Sequence, residues 1–159
     1  NIMANSNMIG MEESVASGIS EKLNVLLADY QVYYQNLRGF HWNIQGNRFF
    51  SLHEKFEELY LSTAEVIDEI AERILTLGHV PLHTFNDYVA TAHLKAQKDI
   101  SDAETAANAV VQNLNHLIGH QRTIIKLAAE SGDEGTIALL SEFTTVQEKN
   151  VWMFTALLK

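Results

Sequence analysis

Hydrophobic positions recur at steps of three and four along most of this chain. The first stripe runs Leu23, Leu26/Leu27, Tyr30, Tyr33/Tyr34, Leu37 and Phe40/His41, and from about Gly18 it predicts an amphipathic helix. Asn43, Gly46 and Asn47 interrupt it. A second stripe joins Leu52, Phe56, Leu59, Thr63, Val66, Ile70, Ile74 and Leu77, and stops at Gly78 and Pro81. The third reads Ala103, Ala106/Ala107, Val110/Val111, Leu114, Leu117/Ile118, Gln121, Ile124/Ile125 and Ala128. It closes at Ser131-Gly132-Asp133, where glycine suits a helix C-terminus and Asp133 can cap the next start. Ile137, Leu140, Thr144, Val151, Phe154 and Leu158 form the fourth. Residues 1–17 carry no period and read as a flexible N-terminal arm, with 18–159 as one domain.

The connections decide how four long helices assemble. The first and last are short, whereas the stretch from His79 to about Gln97 is long for a bundle and has room for a short extra helix within 86–95. Short, long, short describes an all-α, one-crossover four-helix bundle of the ferritin-like kind. A two-crossover bundle needs a long first loop, which Asn43–Asn47 does not provide.

Composition narrows the chemistry. Across 159 residues there is no cysteine, which excludes a disulfide framework, a thiolate metal site and a cysteine nucleophile. A formal charge of −9 is the wrong sign for binding nucleic-acid phosphate and the right sign for attracting cations. No apolar run approaches a membrane span, and residues 1–20 lack the basic-then-apolar pattern of a secretory leader, so a cytoplasmic protein is expected.

Two of the seven histidines, His41 and His53, flank the first turn and should meet at one height on neighbouring antiparallel helices. The second helix carries seven acids; most suit a solvated face. At ~100° per residue, however, Glu57 and Asp68 differ by only about 20°, and His53, Glu57, Asp68 and Glu72 share one arc beside the apolar stripe. The His53/Glu57 and Asp68/Glu72 pairs lie about 16 Å apart along the axis, so one ion cannot use both from one helix. Two copies packed antiparallel across a two-fold axis bring the pairs together, twice over. The expected site is therefore intersubunit and mixed imidazole–carboxylate, a set that suits Fe(II) with Zn or Mn as competitors. No histidine has Glu three residues before it, so the usual di-iron motif inside one bundle is missing. His116 and His120 stand one turn apart but find no carboxylate at a matching step, and His79, His83 and His93 fall in or near the crossover.

The run Gly39-Phe40-His41-Trp42-Asn43-Ile44-Gln45-Gly46-Asn47-Arg48-Phe49-Phe50-Ser51-Leu52-His53-Glu54, followed by Asp68-Glu69-Ile70-Ala71-Glu72-Arg73-Ile74, resembles the signature of the Dps family, the mini-ferritins or DNA-binding proteins from starved cells. The likeness extends over about residues 20–158 and includes Glu148-Lys149 and Trp152-Met153. It implies a homo-dodecameric shell of tetrahedral symmetry, a ferroxidase site at each two-fold interface, hydrogen peroxide as the preferred oxidant of Fe(II), ferric mineral stored inside, and protection against oxidative stress. By position, His41 and His53 would ligate iron from one subunit and Asp68 and Glu72 from its partner. Glu57 stands where the family usually has Asp and would reach the metal directly or through water. Trp42 resembles the family's site-adjacent tryptophan, which intercepts stray oxidising equivalents; core packing is the alternative. Acidic pores near the fourth long helix would admit iron, with Glu148 the best match and Glu142, Asp133 and Glu134 as further candidates; for Asp133 and Glu134 helix-end stabilisation is the favoured role. Residues 1–21 hold no Lys or Arg, which argues against the direct DNA binding that the family name suggests.

Overall fold

Each of the four stripes closes into a long helix in the computed structural model, which describes residues 8–159. The described elements are α1 (Glu13–Asn43), α2 (Phe49–Thr76), the short α3 (Phe85–Thr91), α4 (Ala103–Ser131) and α5 (Glu134–Leu157). The fold is ferritin-like as expected, with α3 inside the crossover. No helix among the described residues is long and apolar enough to cross a membrane.

α1 starts earlier than its periodicity suggested. Ala16 is fully buried and Val15 packs on the core, so residues 13–17 are helix rather than arm, while residues 1–7 of the expected arm lie outside the described residues. No side chain caps this helix start, so no capping residue marks it. Leu23, Leu26, Leu27, Tyr30, Tyr33, Leu37 and Phe40 then face the core as the steps of three and four require.

The turn after α1 needs Gly46, whose φ of 104° is closed to most L-residues. Asp102 and Asp133 cap α4 and α5 by accepting from the amides of Thr105 and Thr136, and Gly132 (φ 74°) ends α4 in the left-handed conformation. α2 packs along α1, α5 along α4, and α1 against α4. Polar side chains on α1 hold the crossover down. Asn24 accepts from the Leu82 amide, Asp29 from the amides of His93 and Leu94, and Asn36 from that of Gln97.

Candidate metal centre

The short turn brings the last turn of α1 against the first turn of α2, and this corner holds His41 and His53. Each imidazole is fixed by the other residue's backbone. His41 Nδ1 donates to the His53 carbonyl at 2.6 Å, and His53 Nδ1 donates to the His41 carbonyl at 2.7 Å. A carbonyl only accepts, so Nδ1 carries a proton and Nε2 of each ring is the atom left to face a metal. The rings stack with centroids 3.8 Å apart and planes 10° from parallel. Phe49 stacks on His53, and Tyr60 meets His41 edge-on. His41 is buried and His53 half-buried, and among the described residues neither Nε2 has a hydrogen-bond partner. The corner thus presents two oriented nitrogen donors.

The carboxylates stand elsewhere. Glu57 is exposed one turn beyond His53, and Asp68 and Glu72 are exposed toward the other end of α2. Because α2 is continuous, Asp68 lies about 22 Å along the axis from His53. Among the described residues, no acid of the same chain completes a three-donor group with the histidine pair. The far end of α2 is strongly acidic: slight burial and the like charges of Glu142, Glu65, Asp68 and Glu72 push the Glu69 carboxyl up.

The remaining candidates separate by exposure. Trp42 is 57% exposed with the Arg38 guanidinium 5.0 Å from its ring, so packing in the core of its own chain is ruled out. Asp133 is turned into its own chain. It is 1% exposed, caps α5 and accepts from Arg73 at 2.6 Å, the helix-end role favoured for it. Glu134 and Glu142 are exposed, and Glu148 is exposed and paired with Arg122 at 2.8 Å.

Around Tyr30 the bundle interior is polar but uncharged. Tyr30 donates to Gln121 Oε1, and Gln121 Nε2 donates to Thr144 Oγ1 and to Gln147 Oε1 (both 2.9 Å). Gln147 Nε2 returns a bond to the Tyr30 hydroxyl at 2.6 Å. All four residues are buried, and the Thr144 hydroxyl donates onward to the Leu140 carbonyl at 2.9 Å.

One grouping escaped the sequence. Asp29, fully buried on α1, accepts from His116 Nε2 at 2.8 Å across 87 residues of chain, so the carboxylate that His116 and His120 lacked in sequence is supplied by another helix. Burial pushes its carboxyl up, but His120, the Leu94 amide and His116 outweigh that and hold its pKa at about 2. Its place inside an apolar stripe, between Ala28 and Tyr30, was the one available hint.

Comparison with known proteins gives a consistent picture. The ferritin-like domain model matches residues 20–159. A DNA protection during starvation protein of Porphyromonas gingivalis is 44% identical, over 92% of this chain and 92% of its own length. The crystal structure of a Dps protein from Vibrio cholerae O1, described as a member of a broad superfamily of ferritin-like diiron-carboxylate proteins, superposes with a TM-score of 0.96. It is 48% identical and covers 100% of this chain and 99% of that one. A Dps protein from Bacillus brevis matches with a TM-score of 0.90 at 36% identity, over 94% of this chain and 100% of that one.

Proposed function

From a chain that belongs to the ferritin-like family and to its Dps branch, we propose an iron-sequestering ferroxidase whose catalytic centre is shared between two subunits of a twelve-subunit cage. The observation that carries this reading is the reciprocal His41–His53 clamp, which leaves two Nε2 donors free with no acid of the same chain beside them. Two nitrogens are too few to hold Fe(II), so Asp68 and Glu72 of a partner complete the ligand set, with Glu57 nearby. The exposed Phe50 (84%) and Trp42 (57%) around the clamp support a surface that a partner covers.

Iron is the substrate. Hydrogen peroxide takes one electron from each of two Fe(II) ions, its O–O bond breaks, and two protons convert the oxygens to water. Pairing the electrons avoids release of hydroxyl radical, and Trp42 is placed to intercept any oxidising equivalent that escapes. The histidines bind as neutral imidazoles and the acids as carboxylates, so protons compete with iron for the same lone pairs. Fe(II) reaches the interior past exposed acids, with Glu148 the first candidate and Glu142 and Glu134 behind it. Ferric mineral is stored there, and in the cytoplasm this limits oxidative stress. Zn or Mn would occupy the same donors without the same turnover. Protection of DNA by this chain acts through iron chemistry and not through coating the duplex, since a charge of −9 per subunit repels phosphate.

The test is to load metal-free protein with Fe(II) under anaerobic conditions, add peroxide, and follow ferric absorbance. The wild type is expected to oxidise iron rapidly and a His41→Ala, Asp68→Ala double variant to fall to the rate of iron in buffer. Equal rates for the two proteins would overturn the assignment.

A further inference from the structure

Away from the clamp, three segments of one chain bring together a second set of donors. Asp29 comes from α1, His116 and His120 from adjacent turns of α4, and His93 from the crossover just after α3. Ligating atoms of Asp29, His93 and His116 all lie within 4.8 Å of one another, the one such trio among the described residues. His120 Nδ1 is 3.8 Å from the same Asp29 Oδ2 that His116 Nε2 approaches to 2.8 Å. Along α1, Asp29 stands about 18 Å from His41, so this is not an extension of the corner.

A purely structural role explains part of the cluster. Asp29 Oδ1 accepts from the amides of His93 (2.7 Å) and Leu94 (2.9 Å) and so pins the crossover. The same two bonds fix the carboxylate and leave Oδ2 aimed at the imidazoles, the outer support that metal-binding carboxylates ordinarily have. What pinning leaves unexplained is His120. Its Nδ1 is closed to solvent and has no hydrogen-bond partner, and 3.8 Å to Asp29 is beyond bonding reach. Nor does pinning need the exposed His93 side chain beside the pair.

We propose that Asp29, His93, His116 and His120 form a tetrahedral site for a divalent transition ion of the zinc class. Bonds of ~2.0–2.1 Å give a tetrahedron an edge of about 3.3 Å. Asp29, His93 and His116 already hold their donors within 4.8 Å of one another, whereas His120 Nδ1, 3.8 Å from Asp29 Oδ2, stands outside that trio and joins it by rotation of its side chain. The ion replaces the hydrogen bond between His116 Nε2 and Asp29 Oδ2, gives His120 Nδ1 a bonded partner, and recruits His93 from the solvent side. Three imidazoles and one carboxylate without thiolate suit Zn(II) and also accept Co(II). Bound there, the ion cross-links α1, α4 and the crossover.

The inference is independent of iron oxidation, and its test removes the corner first. In a His41→Ala, His53→Ala background, metal-free protein is titrated with Co(II), whose tetrahedral complexes absorb intensely in the visible. One ion per subunit with tetrahedral bands is expected, displaced by Zn(II). Adding His93→Ala and His116→Ala spares the Asp29 bonds to the crossover and should abolish the bands, weakening binding by roughly a hundredfold or more. Far-UV circular dichroism of this quadruple variant should be unchanged. Co(II) uptake with the same stoichiometry and spectrum in both proteins, or no uptake in the first, would overturn the site.

Discussion

A centre split between subunits makes a quantitative prediction that no intrachain centre shares. Take one chain carrying His41→Ala and His53→Ala and another carrying Asp68→Ala and Glu72→Ala. Each alone assembles only crippled sites, because every two-fold interface has two sites and both lack the same half. Co-assembled, an interface between the two kinds of chain has one site missing both halves and one site wholly intact. Random mixing at equal amounts makes about half of the interfaces mixed, so about a quarter of the wild-type number of sites is restored. The assay is the initial rate of ferric absorbance after peroxide addition to anaerobically loaded protein, normalised to subunits. The histidine variant also loses the bonds at 2.6 and 2.7 Å that close the corner, about 2 kcal/mol per subunit, so assembly is checked by sedimentation first. A mixed preparation no faster than the sum of its separate parents refutes the shared centre.

Four further outcomes are expected. Arg73→Leu strands the Asp133 carboxylate, 1% exposed and bonded to Arg73 at 2.6 Å, and should cost about 3 kcal/mol in urea unfolding. Gly135→Ala, whose Cβ would meet the Arg73 guanidinium at 2.7–2.9 Å, should cost about 1–2 kcal/mol by pushing the same pair apart. Burial raises the Tyr30 and Tyr33 hydroxyls well above the ordinary phenol range, so their share of stability is complete below pH ~10 and is lost as the pH climbs beyond it. In an ultraviolet pH titration these two tyrosines should ionise only with unfolding, and tyrosinate absorbance from both in still-helical protein would contradict the burial. Finally, the oxidation rate at fixed Fe(II) should fall as acid protonates the clamp imidazoles; a rate unchanged down to about pH 4 would remove histidine from the ligand set.

How much of this was legible in sequence depended on distance along the chain. The four helices were, since steps of three and four need only neighbours, and Gly46 and Gly132 marked their ends. The start of α1 was not, because neither a side-chain cap nor a dense apolar period announces it. His41 and His53 were legible as a pair because a tight turn fixes which residues of a hairpin face each other. Their reciprocal bonds were invisible, since the acceptors are backbone carbonyls and no residue type encodes them. Trp42 could be read as core or as surface until the corner showed it 57% exposed. Asp29 and His116 lie 87 residues apart, and no local period connects them.

The neutral network of Tyr30, Gln121, Thr144 and Gln147 leaves that part of the bundle interior without an iron site. A four-helix bundle can hold metals in its core by pointing carboxylates and histidines inward from facing helices. Here Tyr30, Gln121, Thr144 and Gln147 point inward together, and the bonds they form leave no donor set for an ion among them. Placing a carboxylate among them would bury a charge with no cation to meet it, at a cost of several kcal/mol. The acids of α2 stay on the surface, where water solvates them until a counter-charge arrives. The imidazoles of the corner, one buried and one half-buried, each have a carbonyl to receive Nδ1. A chain that keeps nitrogen donors at one end of α2 and acids at the other can concentrate them around iron only by meeting a second copy.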